Sequence, residues 1–283
     1  MNAYKMLRYN VKEGIFRCKR YWILIVVTLL QCMLAEIQMG YRIDPTANLE
    51  YGFFELFLLV FEGAAPYART GIPTIPYGWL ALFAAALFPA FDYMYHDLMQ
   101  FGVQILTRTE RKISWWVSKC LWCLLSALAA YLLILASVLV FCFVERIPLT
   151  LQTNPAVLRA FTVTPYYQSN GLTALSIRQT ISVILCPLLA LMALQLMQMT
   201  LSLWCKPLYS FLLTIGLCML SMAADFTWLF SRMGMVLYHD CFFLDGYSMQ
   251  MGTVACIAVI LLCVAGGGIF FQFYDILPDK EAV

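Results

Sequence analysis

The sequence predicts an all-α membrane protein with six transmembrane helices and both termini in the cytoplasm. Three observations carry this reading. Hydrophobic residues fill 63% of the 283 positions and charged residues 12%, against roughly 45–50% and 25% in a soluble domain. Apolar runs long enough to cross about 30 Å of hydrocarbon recur along the chain. The Lys and Arg residues fall unevenly between the segments that join those runs.

In chain order, residues 1–20 carry Lys5, Arg8, Lys12, Arg17, Lys19 and Arg20, opposed only by Glu13. The first apolar run is 22–39, with Tyr21 just outside it. No A-x-A-like site comes after it, and Gln31 in "LLQC" stands where a lipoprotein cleavage box needs a small residue, so the run is read as a retained helix. The first outer segment, 40–77, contains "FFELFLLVF" at 53–61. That stretch is too short to span and is expected to lie in the outer interface or to pack on helix ends, with Pro73 and Pro76 terminating the remainder of the segment. Further runs are 78–95 and 115–144, the latter longer than one crossing needs and expected to tilt or to project into the cytoplasm. After the mixed, polar outer segment 145–177 come runs 180–204 and 208–230, joined by a short turn at Cys205, Lys206 and Pro207. The outer segment 231–251 holds Tyr238, Phe242, Phe243 and Tyr247, and the last run is 252–273. Aromatic residues flank nearly every run, as expected of rings that favour the headgroup layer.

Six runs fix an orientation. The N-terminal side also receives Arg108, Arg111, Lys112, Lys119, Lys206 and Lys280. The other side receives Arg42, Arg69, Arg146, Arg159, Arg178 and Arg232. The excess of cations with the N-terminus puts both termini in the cytoplasm. Residues 21–283 then read as a single six-helix transmembrane domain.

Several chemistries lack their residues. Most of the eleven cysteines fall within the apolar runs and only Cys241 lies clearly in an outer loop, so no extracellular disulfide framework is expected. Cys120 and Cys123 form the one C-x-x-C and read as core packing, without the further ligands a zinc site needs. The two histidines, His96 and His239, each precede an aspartate, Asp97 and Asp240, but on opposite sides of the membrane. No H-E-x-x-H, G-x-S-x-G or P-loop occurs. The chain is therefore not read as an enzyme, and no metal or cofactor is assigned to it. A net charge of +2 leaves no footprint for nucleic acid. Glu36, Asp92 and Asp225 fall in or at the ends of runs, where snorkelling to the interface is the commoner outcome. The sharper reading makes Glu36 and Asp225 part of a polar substrate path.

The most informative stretch is the connection "YHDLMQFGVQILTRTERKISWWVSK" at 95–119. Leu98, Phe101 and Ile105 recur at helical spacing, while Asp97, Gln100, Gln104 and Arg108 form a polar face. Arg111 and Lys112 suit an inner membrane surface, and Trp115 and Trp116 suit the headgroup belt. An anchor at the membrane surface explains these cations and tryptophans, but not the amphipathic stretch before them.

The pattern "Dl..fG.qiLtRt.Rk..WW.sK" between the second and third runs resembles the transmembrane permease subunit of bacterial ABC-type exporters, the superfamily exporting drugs, polysaccharides and bacteriocins. The residues that carry it are Leu106, Arg108, Arg111, Trp115 and Lys119. The segment "YKMLRYNVKEGIFRCKRYW" at 4–22 similarly resembles that family's N-terminal amphipathic elbow helix. The resemblance implies a coupling loop at 95–114 that docks on a separate ABC ATPase subunit. Asp97, Leu98, Phe101, Gln104, Ile105, Leu106, Arg108, Glu110, Arg111 and Lys112 are then the coupling residues. It also implies ATP and magnesium on that partner, a second permease chain, the same or related, and a multi-pass location in the bacterial cytoplasmic membrane. The implied function is ATP-driven export of a peptide, drug or amphiphile. The alternatives are a non-transporting scaffold or immunity protein, and a secondary transporter, for which discontinuous spans or inverted repeats would be expected.

Overall fold

The computed structural model describes residues 3–42, 50–63, 76–98, 112–152, 154–157, 175–223, 228–242 and 246–273. Among them the regular elements are helical, with one isolated bridge between His239 and Tyr247. Five helical stretches, Tyr21–Tyr41, Tyr77–Asp97, Ile113–Val144, Ile177–Leu201 and Met249–Phe270, are long and apolar enough to cross a membrane, and the chain is a membrane-embedded, multi-pass protein. The helices are α1 (Ala3–Val11), α2 (Tyr21–Arg42), α3 (Phe53–Val60), α4 (Tyr77–Leu87), α5 (Tyr93–Asp97), α6 (Lys112–Val144), α7 (Ile177–Leu201), α8 (Pro207–Ala223) and α9 (Met249–Phe273). A π-helical turn, Lys12–Phe16, comes after α1, and 3-10 turns occupy Phe88–Ala90, Phe230–Gly234 and Val236–Tyr238.

Runs 22–39, 115–144, 180–204 and 252–273 correspond to α2, α6, α7 and α9. The helix α6 takes up its excess length as one rod of 33 residues, ~50 Å long at about 1.5 Å per residue. Two expected spans depart from a simple rod. Run 78–95 is broken by the turn at Phe88–Ala90, because Pro89 has no N–H to donate and its ring crowds the preceding turn. The carbonyl of Ala86, in the last turn of α4, accepts from Gln195 Nε2 of α7 at 2.9 Å. Run 208–230 departs at its outer end. Its helix, α8, is described from Pro207 to Ala223, 17 residues, and the run's last residue is not part of it. Beyond residues 224–227, outside the described set, Phe230 and Met233 are buried in a 3-10 turn. Apolarity by itself does not distinguish a side chain facing lipid from one facing protein, and here the end of the run faces protein.

The short α3 lies deeper than either expected placement. Every residue from Phe53 to Val60 is buried, and α3 belongs to the main core with Phe83 and Tyr131. A helix buried this way must satisfy its free backbone ends. The Phe53 and Phe54 amides donate to the carbonyls of Pro148 and Thr150 at 3.0 and 3.3 Å. The buried Glu55 carboxylate accepts from the amides of Gly52 at 3.0 Å and Asn154 at 2.8 Å. At the far end the Phe61 carbonyl accepts from Val236. Gly63 then turns the chain with φ +76 while packing directly against Met235, a conformation and a closeness that a side chain would disrupt. Two segments distant in sequence thus hold one helix at the distal end of the bundle, opposite the N-terminus. The end that carries the N-terminus is basal.

Candidate functional site

The basal end is organised around Lys119, one turn of α6 beyond Trp116. Its side chain is 1% exposed and its Nζ lies 2.8 Å from Asp97 Oδ2. It also donates to Asn10 Oδ1 at 2.8 Å, and it sits over the rings of Tyr93, at 4.6 Å, and Trp115, at 5.3 Å. Asn10 is itself fully engaged: Tyr93 OH donates to its Oδ1 at 3.1 Å, and its Nδ2 donates to Ser118 Oγ at 3.4 Å. Tyr93 stacks on Trp122 with ring centroids 4.0 Å apart. The π-turn after α1 reaches Trp122 because position 14 is glycine, where a Cβ would come within 2.6 Å of the indole nitrogen. One cation therefore joins α1, α5 and α6. An ammonium in an apolar helix is costly unless paired and hydrogen-bonded, and this one has an ion pair, an amide oxygen and two ring faces.

A second ion pair lies beside the first. Arg20, at the entry to α2, meets Asp92 in the break between α4 and α5 with a bidentate pair at 2.5 and 2.7 Å. The guanidinium also stacks 5.0 Å from the Phe88 ring. His96 Nε2 approaches the same carboxylate at 3.3 Å. Asp92 is thus a partner of Arg20 rather than a solvated interfacial acid.

Of the expected coupling residues, Asp97 points inward to Lys119, and Leu98 packs partly buried on the basal core. Phe101, Gln104, Ile105, Leu106, Arg108, Glu110 and Arg111 lie outside the described residues. Lys112 begins α6. Cys120 and Cys123 are both buried in the basal core. Sequence reasoning missed Asn10 and Tyr93. The available signal was Lys119 itself, an ammonium inside an apolar run, which demands a partner.

The distal end contains a cavity of about 930 Å³ between α7, α9 and the 3-10 segment that precedes α9. Arg178, Gln179, Gln250 and Thr253 line one part of it, and Leu188, Met192 and Ile257 another. Glu36 is not among its lining residues; it sits on α2 with Tyr51 and Glu145 as charged or polar neighbours. Asp225 lies outside the described residues.

Behind the cavity wall, His239 is completely enclosed, and neither ring nitrogen has a well-aligned partner among the described residues. Burial pushes its pKa down to about 4, against a smaller opposing contribution from backbone groups of Arg232 and Met233. The Tyr247 ring is 6.0 Å away, its phenol pushed up to about 12 by burial, and Arg232 lies 5.7 Å over that ring.

Comparison with known protein families, with curated proteins and with solved structures finds no match for this chain. A functional reading therefore rests on the geometry of these two ends.

This geometry predicts two outcomes. Replacing Lys119 by Met strands the Asp97 carboxylate and should cost about 3–5 kcal/mol, as removing one partner of a buried pair does. Lys119→Met with Asp97→Leu should cost clearly less than the two single changes together, measured by unfolding of the purified chain; strict additivity would show that the pair is not coupled.

His239 sets the second. Its ring is neutral when folded and titrates near the ordinary 6.5 when unfolded. The unfolded chain therefore binds the extra proton between about pH 6.5 and pH 4. The stability that the neutral ring provides is whole above about pH 6.5 and declines by about 1.4 kcal/mol per pH unit on acidification toward 4. Thermal unfolding of wild type relative to His239→Leu should converge or invert across that window, whereas a constant difference would mean that the ring is not neutral when folded.

Proposed function

We propose that the chain is the membrane-spanning subunit of an ATP-driven exporter of the bacterial cytoplasmic membrane, working with a separate ATPase that holds ATP and magnesium and with a second permease chain. The observation that carries this reading is the anchoring of the 98–111 connection. Asp97, the last residue of α5, is ion-paired to Lys119 of α6, the helix into which the connection runs. Both are tied to α1 through Asn10. A displacement applied to a connection held in this way is delivered to three helices together, where an untethered loop would absorb it. The long α6 then carries that displacement toward the distal end, where it packs against α3 and α7.

The mechanism is mechanical and involves no covalent chemistry in this chain. Nucleotide-driven closure of the ATPases biases a two-state arrangement of the helices, and the access of a substrate path shifts with it. Within this reading Ile105 and Arg108 are docking residues, while Asp97 is a positioning residue that sets where the connection leaves the bundle.

Ile105→Asp would desolvate an unpaired charge in the docking surface, and Arg108→Lys would lose the planar fork that engages a carboxylate bidentately. Both variants should insert normally yet lose co-purification with the ATPase by at least about tenfold, the equivalent of 1.4 kcal/mol. Exchanging the cations at Arg111 and Lys112 should do little. A pull-down at matched expression decides this, and unchanged association of the Ile105 and Arg108 variants leaves the connection as a membrane anchor.

A further inference from the structure

The distal cavity has a polarity gradient that runs along the helices. On α7, Arg178, Gln179 and Ser182 occupy the outermost turns of the lining, and only apolar side chains come after them, from Leu185 through Leu188 and Leu189 to Met192. On α9, Gln250 and Thr253 lie in the outer turns beside Met249, and Ile257 is deepest. From Arg178 to Met192, α7 descends ~21 Å, about two-thirds of the ~30 Å hydrocarbon layer. The cavity is thus a slot along the direction of the lipid chains, polar at the helix ends and apolar toward the centre of the membrane. Leu185 and Ile257, which border it, are 50% and 46% exposed, so the slot is bordered by surface that meets lipid. Its volume of about 930 Å³ lies within the range of sites that enclose small organic ligands.

The charge at the mouth selects the head of the occupant. Arg178 is exposed, and no hydrogen bond or ion pair holds its guanidinium among the described residues. A guanidinium at the headgroup level matches a phosphate with two parallel hydrogen bonds. Gln179, Gln250 and Thr253 add uncharged polar side chains at the same level. The half-buried Asp240 also lines the cavity.

We propose that this slot binds a lipid with a phosphate-bearing headgroup, which enters sideways from the membrane with its phosphate at Arg178 and an acyl chain between Leu188, Leu189 and Ile257. The site stands independently of any ATPase. If the chain is an exporter, the slot offers a lipid or lipid-like amphiphile a place at the distal end of the path.

The test uses the full chain purified in an uncharged maltoside detergent and a lysophosphatidic acid with a photoreactive group in its acyl chain. Controls are the monoacylglycerol and the alkyltrimethylammonium that carry the same reactive chain. The expected result is cross-linking concentrated in residues 185–192 and 250–257, at least about tenfold stronger for the phosphate probe than for either control, in line with a charge-assisted pair. Arg178 is exposed, so Arg178→Ala leaves the fold intact and should reduce the phosphate probe to the level of the monoacylglycerol. Leu189→Trp from one wall and Thr253→Trp from the other should each block the slot and remove the cross-link, scored in whichever variant elutes and melts as the parent does. Labelling that ignores head charge and Arg178, or that spreads over all lipid-facing helices, would overturn the proposal and reveal an annular lipid contact only. No ATPase is present in these measurements, so their failure leaves the export reading untouched.

Discussion

The buried ammonium of Lys119 is the constraint around which the basal end of this molecule is arranged. A lysine placed in an apolar helix has to find an anion, an acceptor or water, because an unpaired charge there costs several kcal/mol. Here the anion comes from Asp97 at the end of the broken second span, and the acceptor comes from Asn10 on the N-terminal helix. The break at Pro89 matters to this arrangement. It ends α4, re-aims the chain through Asp92, and lets α5 bring both Tyr93 and Asp97 to the same face of α6. The Arg20–Asp92 pair fixes the other side of that break. The charged groups at this end, Lys119, Asp97, Arg20 and Asp92, are therefore each paired, as a low-dielectric interior demands.

The distal end solves the same problem with backbone instead of charge. Burying α3 removes Phe54, Phe57 and Phe61 from water and lipid alike, but it would leave free amides and carbonyls in an apolar interior. Glu55, the 148–154 strip and Val236 supply the missing partners. The result is a plug of rings and aliphatic side chains that holds α2, α4, α6 and the 3-10 segment before α9 in register. The last helix joins the basal end by a close approach of Gly267 to Trp116, whose indole N–H reaches the Val264 carbonyl at 2.9 Å.

Much of the helical framework was legible because periodicity and run length report the solvent directly. Runs such as 180–204 contain no lysine, arginine or acid, and their helices appear where the length rule puts them. The features that stayed hidden depended on partners. The length rule carries the run 208–230 out to Phe230 because that residue is apolar, although Phe230 is buried in a 3-10 turn. The stretch 53–61 was correctly too short to cross, yet nothing local to it reveals that Pro148, Thr150 and Asn154 would satisfy its ends. Asp92 looked like an interfacial acid because its partner, Arg20, lies 72 residues away. Asn10 carried no signal at all, since a single amide on an amphipathic helix is ordinarily solvated. The distal cavity was illegible for the same reason: its polar and apolar tiers line up only when α7 and α9 stand side by side.

The most direct measurement of the basal arrangement is amide hydrogen exchange on the purified chain carrying Lys119→Met. If Lys119 is the joint between helices, the amides of α1 and α5 should exchange faster together, while those of α3 and the first half of α7 keep their protection. Unchanged protection of α1 would contradict the account, because the N-terminal helix would then be held by apolar packing alone.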